Sequence, residues 1–189
     1  MDAAYRPWTV PGEESRYAVS PSGPIFRPDG GCAPAATAVA SRPAHGFPEM
    51  MTSFPSPHPQ VLLVDDDLRY RKALRGALEA EGVEVVGEAR NGRVALWAAR
   101  VLRPDVAVMD LRMPEVGGIE ATRRIRAELP STQVIILTVY DEPLPARSAL
   151  DEGAFAYAVK GCSAHLIADI VRAAWQHARE NEAETPPGA

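Results

Sequence analysis

The stretch VLLVDDD, residues 61–67, indicates the fold of the chain. Four consecutive apolar residues, β-branched at both ends, predict a short strand that is buried on both faces. Strands of this kind are typical of parallel sheets, where helices cover both faces and ligands bind at the carboxyl ends of the strands. The motif therefore predicts an α/β domain with polar groups gathered where the strand stops.

The same alternation continues towards the C-terminus. Apolar segments spaced i, i+3, i+4 predict five helices, which glycine or proline ends at Gly82, Pro104, Pro130 and Gly153, and Ser163 is predicted to cap the last one. Four more strands are predicted between the helices, at residues 83–86, 106–109, 134–137 and 156–159. Five strands alternating with five helices predict one α/β domain with a parallel sheet, which we assign to residues 59–179.

The segments on either side of this domain have a different composition. Residues 1–59 hold 11 of the 18 prolines and show no sustained apolar period. Proline at that density removes backbone donors and blocks both helices and strand ladders. We therefore predict a disordered leader over residues 1–58, and a flexible tail over residues 180–189.

Composition excludes several classes of protein. The net charge of -5 is unfavourable for binding nucleic acid, because contacts to phosphates need an excess of Lys and Arg. The two cysteines, Cys32 and Cys162, have no CxxC spacing, which argues against a disulfide scaffold or a cysteine zinc site. No apolar run approaches the roughly 20 residues of a membrane span, and the N-terminus does not resemble a secretory signal. We expect a cytoplasmic protein without a membrane partner.

Polar residues follow four different strands at the point where each strand ends. Asp65-Asp66-Asp67 follow the first strand and Asp110 the third, Thr138 closes the fourth, and Lys160 follows the fifth. Clustered carboxylates repel one another unless a cation lies among them. A small set of hard oxygen ligands, completed by water, suits Mg²⁺. The sequence therefore predicts a magnesium site at this edge of the sheet.

The same four positions also suit phosphoryl transfer. A carboxylate can act as the nucleophile on phosphorus, and the reaction then needs positioning and neutralisation of charge. A metal ion held by Asp66 and Asp110 would bind one phosphoryl oxygen, while Lys160 and Thr138 would contact the other two. Taken singly, each residue has a plainer interpretation as a helix cap, a turn residue or a solvated side chain. Their placement at four strand ends favours the phosphoryl site.

These residues lie in motifs that resemble the receiver domain of two-component response regulators. The motifs are VLLVDDD (61–67), VAVMDLRMPEVGG (106–118), VIILTVYD (134–141) and AFAYAVKG (154–161), in the order and spacing of that family. The Lys-Gly at 160–161 is similar to the NarL-like subgroup. The resemblance implies a flavodoxin-like doubly wound sheet of five parallel strands in the order 2-1-3-4-5, with five helices.

The resemblance also implies a role for each residue of the site. Asp110 matches the phosphoacceptor, Asp65 and Asp66 match the acidic pair that binds Mg²⁺, and the backbone carbonyl of Arg112 matches a further metal ligand. Thr138 and Lys160 match the hydroxyl and the amine that assist the reaction, and Thr138 also takes part in switching. Tyr157 matches the aromatic residue that changes rotamer on activation. Arg112 and Val139 flank the site, and we expect that together they lengthen the phosphorylated lifetime.

The implied partner is a sensor histidine kinase, and the implied role is a switch rather than an enzyme, with only its own phosphorylation and dephosphorylation as activities. Ten residues follow Arg179, fewer than a DNA-binding module needs, so we expect no direct DNA binding. Output is then expected through a downstream protein, with a homodimer as a further possibility.

Several alternatives stay open. Within signalling, the chain could be a phosphate sink or a truncated NarL-like transcription regulator. An Asp-nucleophile phosphatase of the haloacid-dehalogenase type would need a second Asp two residues after Asp110, where this chain has Arg112. A purely structural interaction domain would not need Asp66, Asp110, Thr138 and Lys160 together.

Overall fold

The structure, a computed structural model, describes residues 17–19, 57–139 and 143–184. Its elements in chain order are β1 (Tyr17–Val19), β2 (Gln60–Val64), α1 (Leu68–Ala80), β3 (Glu84–Ala89), α2 (Gly92–Leu102), β4 (Val106–Met109), α3 (Gly118–Glu128), β5 (Gln133–Thr138), α4 (Pro143–Asp151), β6 (Ala156–Val159) and α5 (Ala164–Glu184).

The sheet has the predicted order with one strand added. Its strands lie in the order β1-β6-β5-β4-β2-β3, and β3, β2, β4, β5 and β6 are parallel to their neighbours. Counted without β1, this is the order 2-1-3-4-5, so the flavodoxin-like prediction is confirmed. β1 pairs antiparallel with β6 and lies within residues 1–58, where the sequence pattern predicts no strand. The rest of the predicted leader up to residue 56 lies outside the described residues.

Two apolar layers pack on the two faces of the sheet because successive residues of a buried strand point to opposite sides. Leu63 belongs to the layer formed with α1 and α5, whereas its neighbour Leu62 belongs to the layer formed with α2, α3 and α4. Both side chains are fully buried, which stabilises the fold by about 1.5–3 kcal/mol for each. The continuous apolar strand pattern thus reflects a sheet covered on both sides.

Helix boundaries follow the capping residues that the sequence contains. Asp67 caps α1 by accepting bonds from the backbone N–H groups of Arg69 and Tyr70, and Asn91 caps α2 by accepting from Val94. The Ser163 hydroxyl accepts from the N–H of Leu166, which confirms the predicted cap of α5. Side-chain acceptors at these positions satisfy amides that have no partner inside the helix.

Three boundaries differ from the prediction. β3 runs over Glu84–Ala89 and not over 83–86. α4 begins at Pro143, three residues before Ala146, where the sequence pattern predicts its start, because proline is tolerated in the first turn of a helix. α5 continues to Glu184, so residues 180–184 of the predicted flexible tail are helical. Glutamate and alanine in that segment favour a helix, and the guanidinium of Arg179 lies 4.9 Å from the Trp175 ring centroid one turn earlier.

Within the described part of the chain, none of the helices is long and apolar enough to cross a membrane.

Candidate phosphoryl-transfer site

The carboxyl ends of four strands bring the predicted site residues to one edge of the sheet. Asp65 and Asp110 follow β2 and β4, which pair in parallel register from Val61↔Val106 to Val64↔Met109. Thr138 is the last residue of β5, and Lys160 follows β6 directly. The hydrogen bond from the Asp110 N–H to the Val64 carbonyl, at 2.8 Å, extends the β2–β4 pairing to the site.

Lys160 is shared between two carboxylates. Its Nζ lies 2.6 Å from Oδ2 of Asp65 and 3.1 Å from Oδ2 of Asp110, and its side chain is 11% exposed. Burial acts to lower the pKa of Lys160, but the hydrogen bond to Asp65 and the charge of Asp110 outweigh it and raise that pKa. The lysine is therefore held in its charged form between the two acids.

Asp65 has a mixed environment. Burial raises the pKa of Asp65 above its ordinary value, and the hydrogen bonds from Lys160 and from the Asp67 N–H oppose that rise only in part. The Asp65 backbone carbonyl accepts a hydrogen bond from Arg71, whose Nε also pairs with Glu88 at 3.1 Å. These contacts anchor the acidic end of β2 to the first turns of α1.

Tyr70 lines the other side of the lysine. The Lys160 Nζ lies 4.5 Å from the centre of the Tyr70 ring, which is within the range of a cation–π contact. Burial, followed by the charge of Asp65, raises the pKa of Tyr70 to about 12. The phenol is therefore neutral near pH 7, and its ring stabilises the ammonium. The sequence pattern does not indicate Tyr70 as a site residue, because an apolar helix position gives no sign of what its ring faces.

Three carboxylates form a group that could hold a metal ion. One oxygen each from Asp65, Asp66 and Asp110 lies within 4.8 Å of the others, with Asp66 exposed and the other two buried. Asp67, treated above as a helix cap, is not part of this group. An open side that water can complete, combined with hard oxygen donors, fits Mg²⁺.

The Thr138 hydroxyl has no hydrogen-bond partner although its residue is fully buried. A buried hydroxyl without a partner costs about 1–3 kcal/mol, so such groups are rare away from functional sites. The backbone carbonyl of the same residue accepts a 2.6 Å hydrogen bond from the N–H of Lys160. Thr138 and Lys160 are thus joined through the backbone, while the hydroxyl remains available to a ligand.

The loop after β4 is fixed by close backbone packing. Oδ1 of Asp110 accepts a 2.7 Å bond from the Leu111 N–H, and the Leu111 carbonyl accepts from the Gly118 N–H at 2.8 Å. A Cβ at Gly118 would lie 2.3 Å from the Asp110 carbonyl oxygen, so only glycine fits there. The Gly-Gly at 117–118 signals this close approach in the sequence.

A second set of contacts holds the same loop from α2. The buried Asn91 amide donates to the Glu115 carboxylate at 2.8 Å, and the Gly92 N–H donates to the Val116 carbonyl at 3.0 Å. Glu115 adopts a φ of 67°, in the left-handed region. The sequence pattern indicates Asn91 only as the start of a helix, since its contact with Glu115, 24 residues away, depends on the fold.

The remaining predicted residues lie around this centre. Arg112 is exposed on the loop after β4, and Val139, which follows Thr138, is 62% exposed. Tyr157, in contrast, is 3% exposed and packs in the apolar layer that also contains Met109 and Ala149. The predicted switch residue therefore lies inside the protein, on the strand that leads to Lys160.

Comparison with known proteins agrees with this geometry. The family model described as "Response regulator receiver domain" matches residues 61–172. The response regulator protein VraR of Staphylococcus saprophyticus is 36% identical over 126 residues, which cover 66% of this chain and 60% of that protein. The chain thus spans less than two thirds of the length of this curated relative.

Solved structures give the same result. The receiver domain of a NarL response regulator from Mycobacterium tuberculosis is 35% identical, with a TM-score of 0.58, and the match covers 65% of this chain and 97% of that one. A LuxR-family two-component response regulator from Aurantimonas is 30% identical, with a TM-score of 0.60, over 67% of this chain and 99% of that one. The chain belongs to the response regulator receiver domain family.

Proposed function

We propose that this chain accepts a phosphoryl group on Asp110 from the phosphohistidine of a sensor histidine kinase, or from a small phosphodonor, and signals through protein contacts that depend on phosphorylation. The observation that carries the proposal is the unpartnered Thr138 hydroxyl, buried at the end of the strand next to that of Asp110. A hydroxyl in that position suits a phosphoryl oxygen, and Lys160 beside Asp110 suits another.

The phosphoryl group is transferred to Asp110 and then to water in two steps. A carboxylate oxygen of Asp110 forms a bond to phosphorus as the P–N bond to the donor histidine breaks, and the electron pair of that bond returns to the imidazole nitrogen. The resting state returns by a separate step, hydrolysis, in which a water oxygen bonds to phosphorus, the Asp110 carboxylate leaves, and inorganic phosphate carries away the oxygen and protons of the water. In both steps Lys160 and Thr138 would orient the phosphoryl oxygens and offset their charge.

Asp65, Asp66, Asp110 and the backbone carbonyl of Arg112 would hold the Mg²⁺ that is typical of the family. When bound, Mg²⁺ would neutralise charge on the phosphoryl group and the surrounding carboxylates. Asp66 is the exposed member of the group, so it is the ligand best able to adjust its position to the ion.

The switch would pass from Thr138 to the face formed by α4, β6 and α5. A phosphoryl group on Asp110 would attract the Thr138 hydroxyl, and the movement would alter the space around Tyr157, whose strand is paired to β5 in register Ile136↔Tyr157. We propose that this face contacts a downstream protein or a second copy of the chain. A cytoplasmic location, where such a kinase presents its phosphohistidine, is part of the proposal.

Exposure to acetyl phosphate and Mg²⁺, followed by intact-protein mass spectrometry, tests the proposal. We expect the wild type to gain the mass of one phosphoryl group, the Asp110→Asn variant to gain none, and the exposed Asp151→Asn variant on α4 to behave as the wild type. Equal labelling of Asp110→Asn would contradict the assignment of Asp110, and no labelling of the wild type would favour the structural interaction domain.

The alternatives have separate readouts. A haloacid-dehalogenase-type phosphatase would release phosphate from added phosphomonoesters over many turnovers, whereas a switch or a phosphate sink would not. The expectation that this chain does not bind DNA directly stays a prediction, and a gel-shift assay with sequence-specific retardation would overturn it.

A further inference from the structure

The two edges of the sheet are protected in different ways. β3, at one edge, contains Glu84 and Glu88, and its pairing with β2 is interrupted by a register shift at Val61/Leu62. Charges and irregularities of this kind discourage the addition of another strand. β6 has the sequence Ala-Tyr-Ala-Val, without a charge or a proline, and would be an open edge if β1 did not cover it. The edge of β6 is therefore a surface that accepts an extended strand.

The occupant of that edge is a segment of the same chain. β1 pairs with β6 in the antiparallel register Tyr17↔Ala158, Ala18↔Tyr157 and Val19↔Ala156, so the backbone opposite the predicted switch residue is that of Ala18. Three residues form few hydrogen bonds, each with a net contribution of only about 1 kcal/mol. The connection through residues 20–59 keeps the segment near its edge at an effective concentration of about millimolar order. Such a pairing forms readily and is also readily released.

The covered strand leads directly into the phosphoryl-transfer site. Lys160 follows β6, its N–H is bonded to the Thr138 carbonyl, and its Nζ contacts Asp65 and Asp110. A phosphoryl group on Asp110 would change the contacts of Lys160 and Thr138, and both residues are continuous with the backbone of β5 and β6. A short antiparallel pairing depends on the twist and position of its partner strand, because each hydrogen bond needs near-linear geometry.

We propose that the outer edge of β6 is a docking site for an extended strand, that residues 17–19 occupy it within the same molecule, and that a phosphoryl group on Asp110 weakens this pairing and uncovers the edge. The coupling rests on the proposed function, whereas the docking does not. Because coupling is reciprocal, loss of the strand also favours the phosphorylated form.

Hydrogen exchange of the full chain tests both parts. The double variant Ala18→Pro/Val19→Pro removes two successive amide donors. Because successive amides of a strand point to opposite sides, at least one of the two faces β6. The chain offers a matched control in Ala38→Pro/Val39→Pro, which changes the same residue pair elsewhere in the leader. We expect the amides of Ala156–Val159 that are not bonded to β5 to exchange at least about fivefold faster in the first variant and unchanged in the control.

Beryllofluoride with Mg²⁺ is the probe for the coupling. We expect it to speed exchange of the same amides in the wild type and in the control, and to have little effect in the 18/19 variant. The 18/19 variant should also bind beryllofluoride about fivefold more tightly than the control.

Each contrary result has its own meaning. Equal exchange in the 18/19 variant and the control would overturn the docking, and protection that depends on protein concentration would show pairing between two copies. Binding of beryllofluoride without faster exchange at β6 would overturn the coupling. If the wild type binds no beryllofluoride, both the proposed function and the coupling are contradicted. The docking is then still decided by comparing hydrogen exchange in the 18/19 variant and in the control without beryllofluoride.

Discussion

The ammonium of Lys160 lies 2.6 Å from Oδ2 of Asp65, closer than the 3.1 Å to Asp110, the residue that we propose as the phosphoacceptor. Both side chains of the closer pair are largely buried. Lys160 therefore has a role before any phosphoryl group is bound, because it neutralises Asp65, a candidate metal ligand. Lysine and metal ion are expected to compete for the charge of Asp65.

The variant Lys160→Met is predicted to lose stability and to bind Mg²⁺ more tightly. Without the ammonium, the two buried carboxylates lose their cationic partner and keep only backbone hydrogen bonds, which should lower the free energy of unfolding by about 1–3 kcal/mol in the presence of a chelator. Bound Mg²⁺ should restore part of this loss, since a ligand of the folded state stabilises it by mass action. Urea unfolding with and without Mg²⁺ measures both effects.

The chain contains only one other lysine, Lys72, which is exposed on α1. Lys72→Met is thus a control with the same chemical change, and we expect it to shift stability by less than about 0.5 kcal/mol. Weaker Mg²⁺ binding in Lys160→Met than in Lys72→Met would contradict the competition between lysine and metal ion.

Thr138→Val is predicted to change phosphorylation of the protein without lowering its stability. Valine has a similar shape and removes a buried hydroxyl that has no partner, so the free energy of unfolding should stay the same or rise by up to about 1 kcal/mol. Labelling by acetyl phosphate, or the lifetime of the labelled protein, should nevertheless change, because a phosphoryl oxygen loses its donor.

Thr122→Val is the matched control for this substitution. Thr122 is also fully buried, but its hydroxyl donates a 2.7 Å hydrogen bond to the Gly118 carbonyl. Its loss should cost about 1 kcal/mol. Two valine variants of equal stability would show that the Thr138 hydroxyl has a partner in solution.

The strand-end argument predicted most of the site because parallel strands must end at one edge. The apolar run before Asp65 and the run before Asp110 are enough to place the two acids together. What the sequence did not provide are contacts that depend on side-chain direction, such as the Tyr70 ring below Lys160. The role of Asp67 also depends on side-chain direction. It belongs to the same acidic triplet as the metal candidates, but its side chain caps the start of α1.

The fold was predictable where patterns are long and strongly apolar, and less so at its margins. β3 was predicted to end at residue 86, yet the strand passes through Gly87 to Ala89. A Cβ at Gly87 would lie 2.5 Å from a methyl group of Leu102 on α2. Glycine at this position therefore reflects the close packing of α2 on β3, and it does not end the strand. β1 could not be predicted, because three residues between prolines are too few to show an apolar periodicity.

Gly118→Ala is predicted to destabilise the protein and to disturb the site at the same time. The added methyl would meet the Asp110 carbonyl oxygen at 2.3 Å, so the loop or α3 must move. We expect a loss of about 1–3 kcal/mol in the free energy of unfolding and reduced labelling by acetyl phosphate.

Gly76→Ala gives the opposite expectation and serves as the control. Gly76 lies inside α1, and a Cβ there would meet nothing within 4 Å. Alanine should therefore stabilise the chain by about 0.5–1 kcal/mol. Equal effects of the two substitutions would contradict the close packing at Gly118.

Arg112→Ala combined with Val139→Ala is predicted to shorten the phosphorylated lifetime. Arg112 lies two residues after Asp110 and Val139 directly follows Thr138, and both side chains are exposed. We expect hydrolysis up to about tenfold faster, which corresponds to about 1.4 kcal/mol of barrier. An unchanged rate of dephosphorylation would rule out this role.

His165 on α5 contacts two carboxylates, one of which lies at the end of α1. His165 Nδ1 lies 3.0 Å from a carboxylate oxygen of Glu81, and Nε2 lies 3.5 Å from one of Asp169. The hydrogen bond to Glu81, followed by the charges of Asp169 and Glu81, raises the pKa of His165 above its ordinary value of 6.5, while desolvation and the charge of Arg172 oppose the rise. Protonation of His165 is therefore favoured by folding.

Because folding raises the pKa of His165, the free energy of unfolding depends on pH. The stabilisation by His165 should be fully present below pH 6.5, where the unfolded chain is also protonated, and should be lost as pH rises through the folded pKa. His165→Gln should therefore reduce stability at acidic pH and have little effect in alkaline solution. Glu81→Gln should lower the pKa of His165, which NMR titration of the ring measures, and an unchanged pKa would show that Glu81 does not contact the ring in solution.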